Sequence, residues 1–230
     1  MKTIGLLGGM SWESTLTYYQ EINEGLKKRL GGLHSAQIVL YSVDFDPIEK
    51  LQHRGDWGAT AKILSEAARS IEAGGAAFFL ICTNTMHKVA EDVQAAVKIP
   101  LLHIADATAE VLLKNGIHRV GLLGTAYTME QDFYKGRLVQ KHGLDVVVPD
   151  EPDRKRVHDI IFDELCLGVC KPESKTAYLK IVDKLGKKGA QGVILGCTEI
   201  GLLVGQGDTE VPLFDTAKIH AARAVEWALS

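Results

Sequence analysis

The chain alternates short, unbroken apolar runs with longer stretches of helical apolar spacing. Thr3-Ile4-Gly5-Leu6-Leu7-Gly8-Gly9 is the first run. An apolar run ending in glycine reads as a strand buried on both faces that turns tightly into the next element. Ser11 is placed to cap a helix over roughly Trp12 to Leu30. Gln37 to Val43 makes a second strand, stopped by Asp44-Phe45-Asp46-Pro47. A loop or short helix then carries Gln52, His53, Arg54, Asp56 and Trp57. Ile63, Leu64, Ala67, Ala68 and Ile71 repeat at helical spacing and predict a helix over Ala59 to Ala73. After Gly74-Gly75 comes a third strand that breaks at Ile81-Cys82-Thr83-Asn84-Thr85-Met86-His87. A helix from His87 to Val97 and a fourth strand, Ile99 to Ile104, complete the unit.

The pattern then restarts. A helix over Asp106 to Asn115 leads to Arg119-Val120-Gly121-Leu122-Leu123-Gly124-Thr125, which repeats Thr3 to Gly9 in kind. Gly189 to Ile194 leads into Leu195-Gly196-Cys197-Thr198-Glu199, the counterpart of the break at Thr83. From Gly5 to Thr83 is 78 positions and from Gly121 to Cys197 is 76. Val211-Pro212-Leu213-Phe214-Asp215 echoes Ile99-Pro100-Leu101-Leu102-His103, and a last helix runs from Thr216 to Leu229. Three landmarks in one order at nearly one spacing predict an internal duplication. The fold expected is α/β, two pseudo-symmetric doubly wound domains with parallel sheets. The first covers 1–105 plus a returning segment 217–230, the second 106–216.

Composition narrows the function. With 230 residues, 46% hydrophobic and 24% charged, the chain can build a full core. A net charge of -3 with no lysine or arginine cluster argues against nucleic acid. No run approaches a membrane span, and the first ten residues lack the long core of a secretion signal, so a cytoplasmic setting is expected. The four cysteines, Cys82, Cys166, Cys170 and Cys197, form no CxxC pair, which argues against a structural disulfide or zinc site. Cys166 and Cys170, four apart in an expected helix, read as packing residues.

Open parallel sheets bind ligands outside the carboxyl ends of their strands, and the cleft between two related halves is a favoured site. Thr83 and Cys197 end such strands, one in each half. A proton-carrying side chain on each side of a bound molecule suits removal of a proton from one face of a carbon and its return to the other. A thiol serves as the base, and N–H dipoles at a helix start are expected to lower its pKa. The N–H groups of Gly9 to Ser11 also stand where an anion could meet a helix start, although the GxGxxG spacing of dinucleotide sites is absent.

Gly8-Gly9-Met10-Ser11, Asn84-Thr85-Met86-His87 and Gly196-Cys197-Thr198-Glu199, in this order and spacing, resemble the aspartate/glutamate racemase family over the whole chain. The resemblance implies racemisation with no cofactor, neither PLP nor metal, by two opposed residues, and a homodimer. It places Cys197 at the family's second catalytic cysteine. The position of the first, directly before Asn-Thr-x-His, is Thr83 here, with Cys82 one residue early. Strand alternation points Cys82 away from Thr83, so Thr83 is taken as the partner and Cys82 as a core residue. Asn84, Thr85 and Thr198 would hold the substrate carboxylate, Glu199 its ammonium, and Met10 would line the pocket. Gln52 lies where relatives often carry a basic residue toward the distal group. Asp159 to Gly168 lacks the lysine that some relatives supply. An acidic amino acid is the family default, and Gln52 opens neutral polar or broad substrates. His87 reads as structural and Arg54 equally as a loop residue. The rival readings are a maleate isomerase or hydantoin racemase of the same superfamily, and a small-molecule binding protein with a decayed catalytic pair.

Overall fold

The computed structural model describes residues 1–230. The first half runs β1 (Ile4–Gly8), α1 (Trp12–Leu30), β2 (Ile38–Ser42), α2 (Phe45–His53), α3 (Trp57–Ala73), β3 (Phe78–Ile81), a tight 3₁₀ turn over Thr85–Val89 and α4 (Ala90–Ala95). The second runs α5 (Ile104–Lys114), β4 (Arg119–Gly124), α6 (Ala126–Glu130), α7 (Lys135–His142), β5 (Asp145–Val147), α8 (Glu151–Asp163), α9 (Pro172–Lys187), β6 (Val193–Gly196), α10 (Ile200–Leu203) and β7 (Leu213–Asp215). Helix α11 (Thr216–Leu229) ends the chain. The contacts divide it into one unit of Met1–Ile104 with His220–Ser230 and another of Ala105–Ile219.

Each unit holds a parallel sheet. The first has the order β2-β1-β3, the second β5-β4-β6-β7. The duplication is visible in this order: β1 and β4 are central, and β3 and β6 lie beside them. The first sheet has no full counterpart of β7. Where Ile99 to Ile104 was expected to form a strand, only a parallel bridge between Phe79 and Leu101 remains. Pro100 has no N–H to give, and α5 begins already at Ile104, so the ladder stops after two bonds. Pro212 likewise shortens β7 to three residues. The expected helix from His87 to Val97 is instead the 3₁₀ turn followed by the six residues of α4.

Glycines at matched positions let helices sit close on both sheets. A Cβ at Gly5 would run into Ile71 of α3 and Phe79 of β3. At Gly121 it would meet Leu185 of α9 and Val193 of β6, each at 3.0 Å. The core against α3 is built from Leu7, Leu64, Ile71, Phe79 and Ile81, all fully buried. Each such side chain stabilises the fold by about 1.5–3 kcal/mol on burial. On the opposite face of that sheet, Trp227 of α11 packs edge-on against Phe78 at 5.4 Å. In the second unit Asp106 of α5 receives two 2.7 Å bonds from Arg137, one from Lys141 at 2.7 Å and one from His142 at 2.8 Å. These bonds outweigh the cost of burial and hold the Asp106 carboxyl far below its usual range, fastening α5 to α7.

Candidate active site

The strand end of the first unit is stiffened from behind. β3 leads through Cys82 to Thr83, and the Cys82 N–H bonds Leu7 O at 2.9 Å, continuing the ladder one step. Cys82 is buried, and burial alone pushes its thiol far up. Thr83 and Asn84 follow, and the chain turns sharply because His87 reaches back: its Nδ1 lies 2.8 Å from Thr83 O. The Ile104 N–H donates to His87 Nε2 at 3.3 Å, so Nδ1 carries the ring proton and is the donor to Thr83 O. His87 therefore fixes the backbone of Thr83. Its ring lies 4.4 Å from that of His103 and 6.1 Å from that of His220. His220 of α11 is fully buried, bonding Leu102 O through Nε2 and accepting from the Tyr18 hydroxyl, each at 2.8 Å. Burial first, then the nearby His87, lower its pKa to about 3.

Met10, Gln52, Asn84 and Thr85 are all buried. Met10 belongs to the apolar cluster with Leu7, Ile48 and Met86, and Gln52 lies in the last turn of α2. Lys88, in the 3₁₀ turn, lies 4.2 Å over the ring of Trp57 at the start of α3, and partial burial lowers its pKa. The suggested anion site at the start of α1 loses one donor: the Gly9 N–H is bound to Thr15 Oγ1 at 2.8 Å.

The strand end of the second unit brings a thiol, a hydroxyl and a carboxylate together. β6 stops at Gly196, and Cys197, Thr198 and Glu199 are 8%, 3% and 2% exposed. The Cys197 thiol donates to Glu199 Oε2 at 2.8 Å, and the Thr198 hydroxyl donates to the same oxygen at 2.9 Å. Burial, then the Glu199 carboxylate, then Cys166 push the Cys197 pKa well up. This corrects the expectation of a lowered thiol. α10 is a single short turn, and a carboxylate, not a cation, is the nearest charge.

Cys166 and Tyr178 lie in the electrostatic neighbourhood of Cys197, which nothing in the sequence marks. Cys166 stands in a short 3₁₀ helix over Leu165–Leu167 that ends before Cys170, and it interacts electrostatically with Cys197. Cys170 is exposed and donates weakly to Leu202 O at 3.7 Å, so it is not a packing residue. Tyr178 of α9 is fully buried within the field of Cys197 and Glu199, its hydroxyl on Val157 O at 3.1 Å. Its spacing with Ser174, Ile181 and Val182 reads as core, and the sequence carries no sign of its neighbours. No three His, Cys, Asp or Glu side chains are grouped to hold a metal ion.

Comparison with known proteins gives these strand ends a context. The chain is 56% identical to a crystallised protein assigned as an Asp/Glu racemase from Yersinia pestis, with a TM-score of 0.92 and all of both chains covered. It is 39% identical to an aspartate racemase homologue of known structure from Pyrococcus horikoshii OT3, with a TM-score of 0.85 and again all of both chains covered. Over 99% of its length it is 21% identical to the broad specificity amino-acid racemase RacX of Bacillus subtilis (strain 168), covering 98% of that protein. The family described as Asp/Glu/Hydantoin racemase matches residues 7–224. The chain belongs to the Asp/Glu/hydantoin racemase family and is, by that membership, an isomerase.

Proposed function

We propose that the protein is an amino-acid racemase that moves the α-proton between Cys197 and Thr83 with no cofactor. The observation that carries this reading is the Cys197–Glu199 pair at a strand end. A buried thiol cannot readily release its proton to water. It can pass it 2.8 Å to Glu199 with no change in the net charge of the site. Cys197, then a thiolate, takes the α-proton and the C–H electron pair stays on carbon. The Thr83 hydroxyl gives its proton to the opposite face, forming the new C–H bond; its oxygen regains a proton from solvent, and Glu199 releases to solvent the proton it took from Cys197, which restores the starting state. Asn84, Thr85 and Thr198 supply donors for the substrate carboxylate, whose negative charge grows as the carbanion forms. Met10 and Gln52 shape the side-chain end.

An uncharged amide at Gln52 gives a distal carboxylate no cationic partner, which favours neutral polar or broad substrates beside aspartate and glutamate. The Bacillus relative's broad specificity points the same way. All four cysteines are free, which suits a reducing, cytoplasmic setting. No helix is long and apolar enough to cross a membrane.

The test is a survey of single enantiomers in D2O, following loss of the α-proton signal. Exchange with several amino acids, unchanged by dialysis against a chelator, supports the reading. Exchange with none leaves a binding protein, and exchange only with hydantoins or maleate-like acids moves the chain to the neighbouring activities.

A further inference from the structure

We infer that His87 is a positioning residue for the return of the proton at Thr83, acting through the tautomer that carries its proton on Nδ1. The inference rests on the reading of Thr83 as the group that protonates the carbanion. By sequence His87 reads as structural; its two bonds give it a narrower task.

Thr83 stands where the sheet runs out. Phe79 of β3 makes both bonds on the outer side of its strand. Its N–H donates to Pro100 O at 3.0 Å, and its carbonyl accepts from the Leu102 N–H at 2.9 Å. Strand alternation turns the Thr83 carbonyl, four residues on, to that same side. No strand partner meets it there, because α5 already begins at Ile104. The His87 ring bridges the gap. The Ile104 N–H donates to Nε2 at 3.3 Å, and the Nδ1–H donates to Thr83 O at 2.8 Å. One imidazole thus accepts an N–H that a helix start leaves without an intrahelical partner, and holds the end of the strand with its other nitrogen. The tautomer protonated on Nδ1 is the one neutral form that does both. On the inner side the ladder closes with the Cys82 N–H on Leu7 O, and the Gly9 N–H has turned away to Thr15 Oγ1 at 2.8 Å.

The ring itself is pinned. His87 is buried, and the rings of His103 and His220 lie 4.4 and 6.1 Å from it. His220 is in turn tied to Tyr18 and to Leu102 O. All these residues belong to the first unit. His87 therefore sets the backbone from which the Thr83 hydroxyl projects, and backbone geometry restricts the rotamers that hydroxyl adopts. Proton return needs that oxygen placed closely, and an error of about 1 Å costs on the order of 10²-fold in rate. Cys197 stands at the end of β6 with its thiol on Glu199, so abstraction at the other face takes nothing from this network.

The experiment follows the full chain with the faster-exchanging enantiomer in D2O. Loss of the α-proton signal reads exchange, and chiral chromatography reads inversion. Return through Thr83 gives inversion. Return from the Cys197 thiol, its proton first replaced by deuterium, gives exchange with retention. His87→Leu should lower inversion by about 10²-fold while exchange falls only a few-fold. His87→Asn, whose amide N–H can stand in for Nδ1–H, should restore most of the inversion-to-exchange ratio. His87→Gln, whose amide reaches the Nε2 position, should not. A merely structural role would lower both rates together and leave their ratio unchanged. In the parent, nitrogen–proton NMR of histidine-labelled protein, assigned with His87→Asn, should show His87 protonated on Nδ1. An unchanged ratio in folded His87→Leu overturns the inference and leaves the racemase reading standing. So does an Asn variant no better than the Gln variant, or a parent ring protonated on Nε2. A parent that exchanges no amino acid fails the racemase reading, and the inference falls with it. If His87→Leu does not fold, the Asn and Gln variants decide.

Discussion

The Cys197 thiol donates to the Glu199 carboxylate across 2.8 Å, with both residues more than nine-tenths buried. The pair can be written as thiol and carboxylate or as thiolate and acid, with the same net charge. On the mechanism proposed above, that equivalence would let Cys197 act as the base near neutral pH although its own pKa is raised.

Replacing Glu199 by Gln keeps a polar contact but removes the proton acceptor. Exchange should fall by about 10²–10⁴-fold at pH 7. Its pH profile should also change. The parent should be nearly flat between about pH 7 and 9, whereas the Gln variant should climb roughly tenfold per unit, since its thiol must ionise into solvent. A purely structural role would leave the profile's shape unaltered.

Cys197→Ser should nearly abolish α-proton exchange in a protein that still folds. A serine hydroxyl is a far weaker base, and Glu199 cannot make up the difference. Most of the activity surviving in a folded variant would remove Cys197 from the reaction.

Gln52→Arg should raise the kcat/KM of acidic over neutral amino acids. A guanidinium gives a distal carboxylate a charge-assisted partner that the amide does not. If the ratio between substrates stays put, Gln52 lies outside the substrate's reach.

His220 ties pH to stability. Its pKa falls from 6.5 to about 3 on folding because it is buried neutral. Below its unfolded pKa the unfolded chain binds a proton that the folded one refuses, so stability drops as pH falls from about 6.5 toward 3, by a few kcal/mol in all. Denaturant unfolding at pH 7 and pH 4 should show this loss, and His220→Gln should show much less of it. Equal losses in the two proteins would place the acid sensitivity elsewhere.

The two strand ends were legible because parallel strands leave short apolar runs after glycine, and because the duplication printed the same spacing twice. The racemase resemblance rested on the motifs at those ends. What the sequence hid was contact between distant or adjacent side chains. The contact of Glu199 with Cys197 was hidden because nothing in Gly-Cys-Thr-Glu shows which way the carboxylate turns. The helix-dipole argument failed for Cys197 because α10 is one turn long. The strand expected over Ile99 to Ile104 shrank to one bridge because Pro100 and the early start of α5 outweigh local β propensity. Tyr178 and Cys166 were invisible as neighbours of Cys197 because only tertiary packing brings them near.

The central claim is that Thr83 and Cys197 are unequal partners. On the proposed mechanism Cys197 becomes a thiolate through Glu199, whereas the reverse run requires a threonine alkoxide. The direct test is α-proton exchange and inversion in D2O from each pure enantiomer, for the parent and for Thr83→Cys. The account predicts markedly faster exchange from one hand in the parent, with separate kcat and KM values that still satisfy the racemic equilibrium, and near-equal rates in Thr83→Cys. Equal rates from both hands in the parent would contradict it and assign that face to another residue, Cys82 first among them.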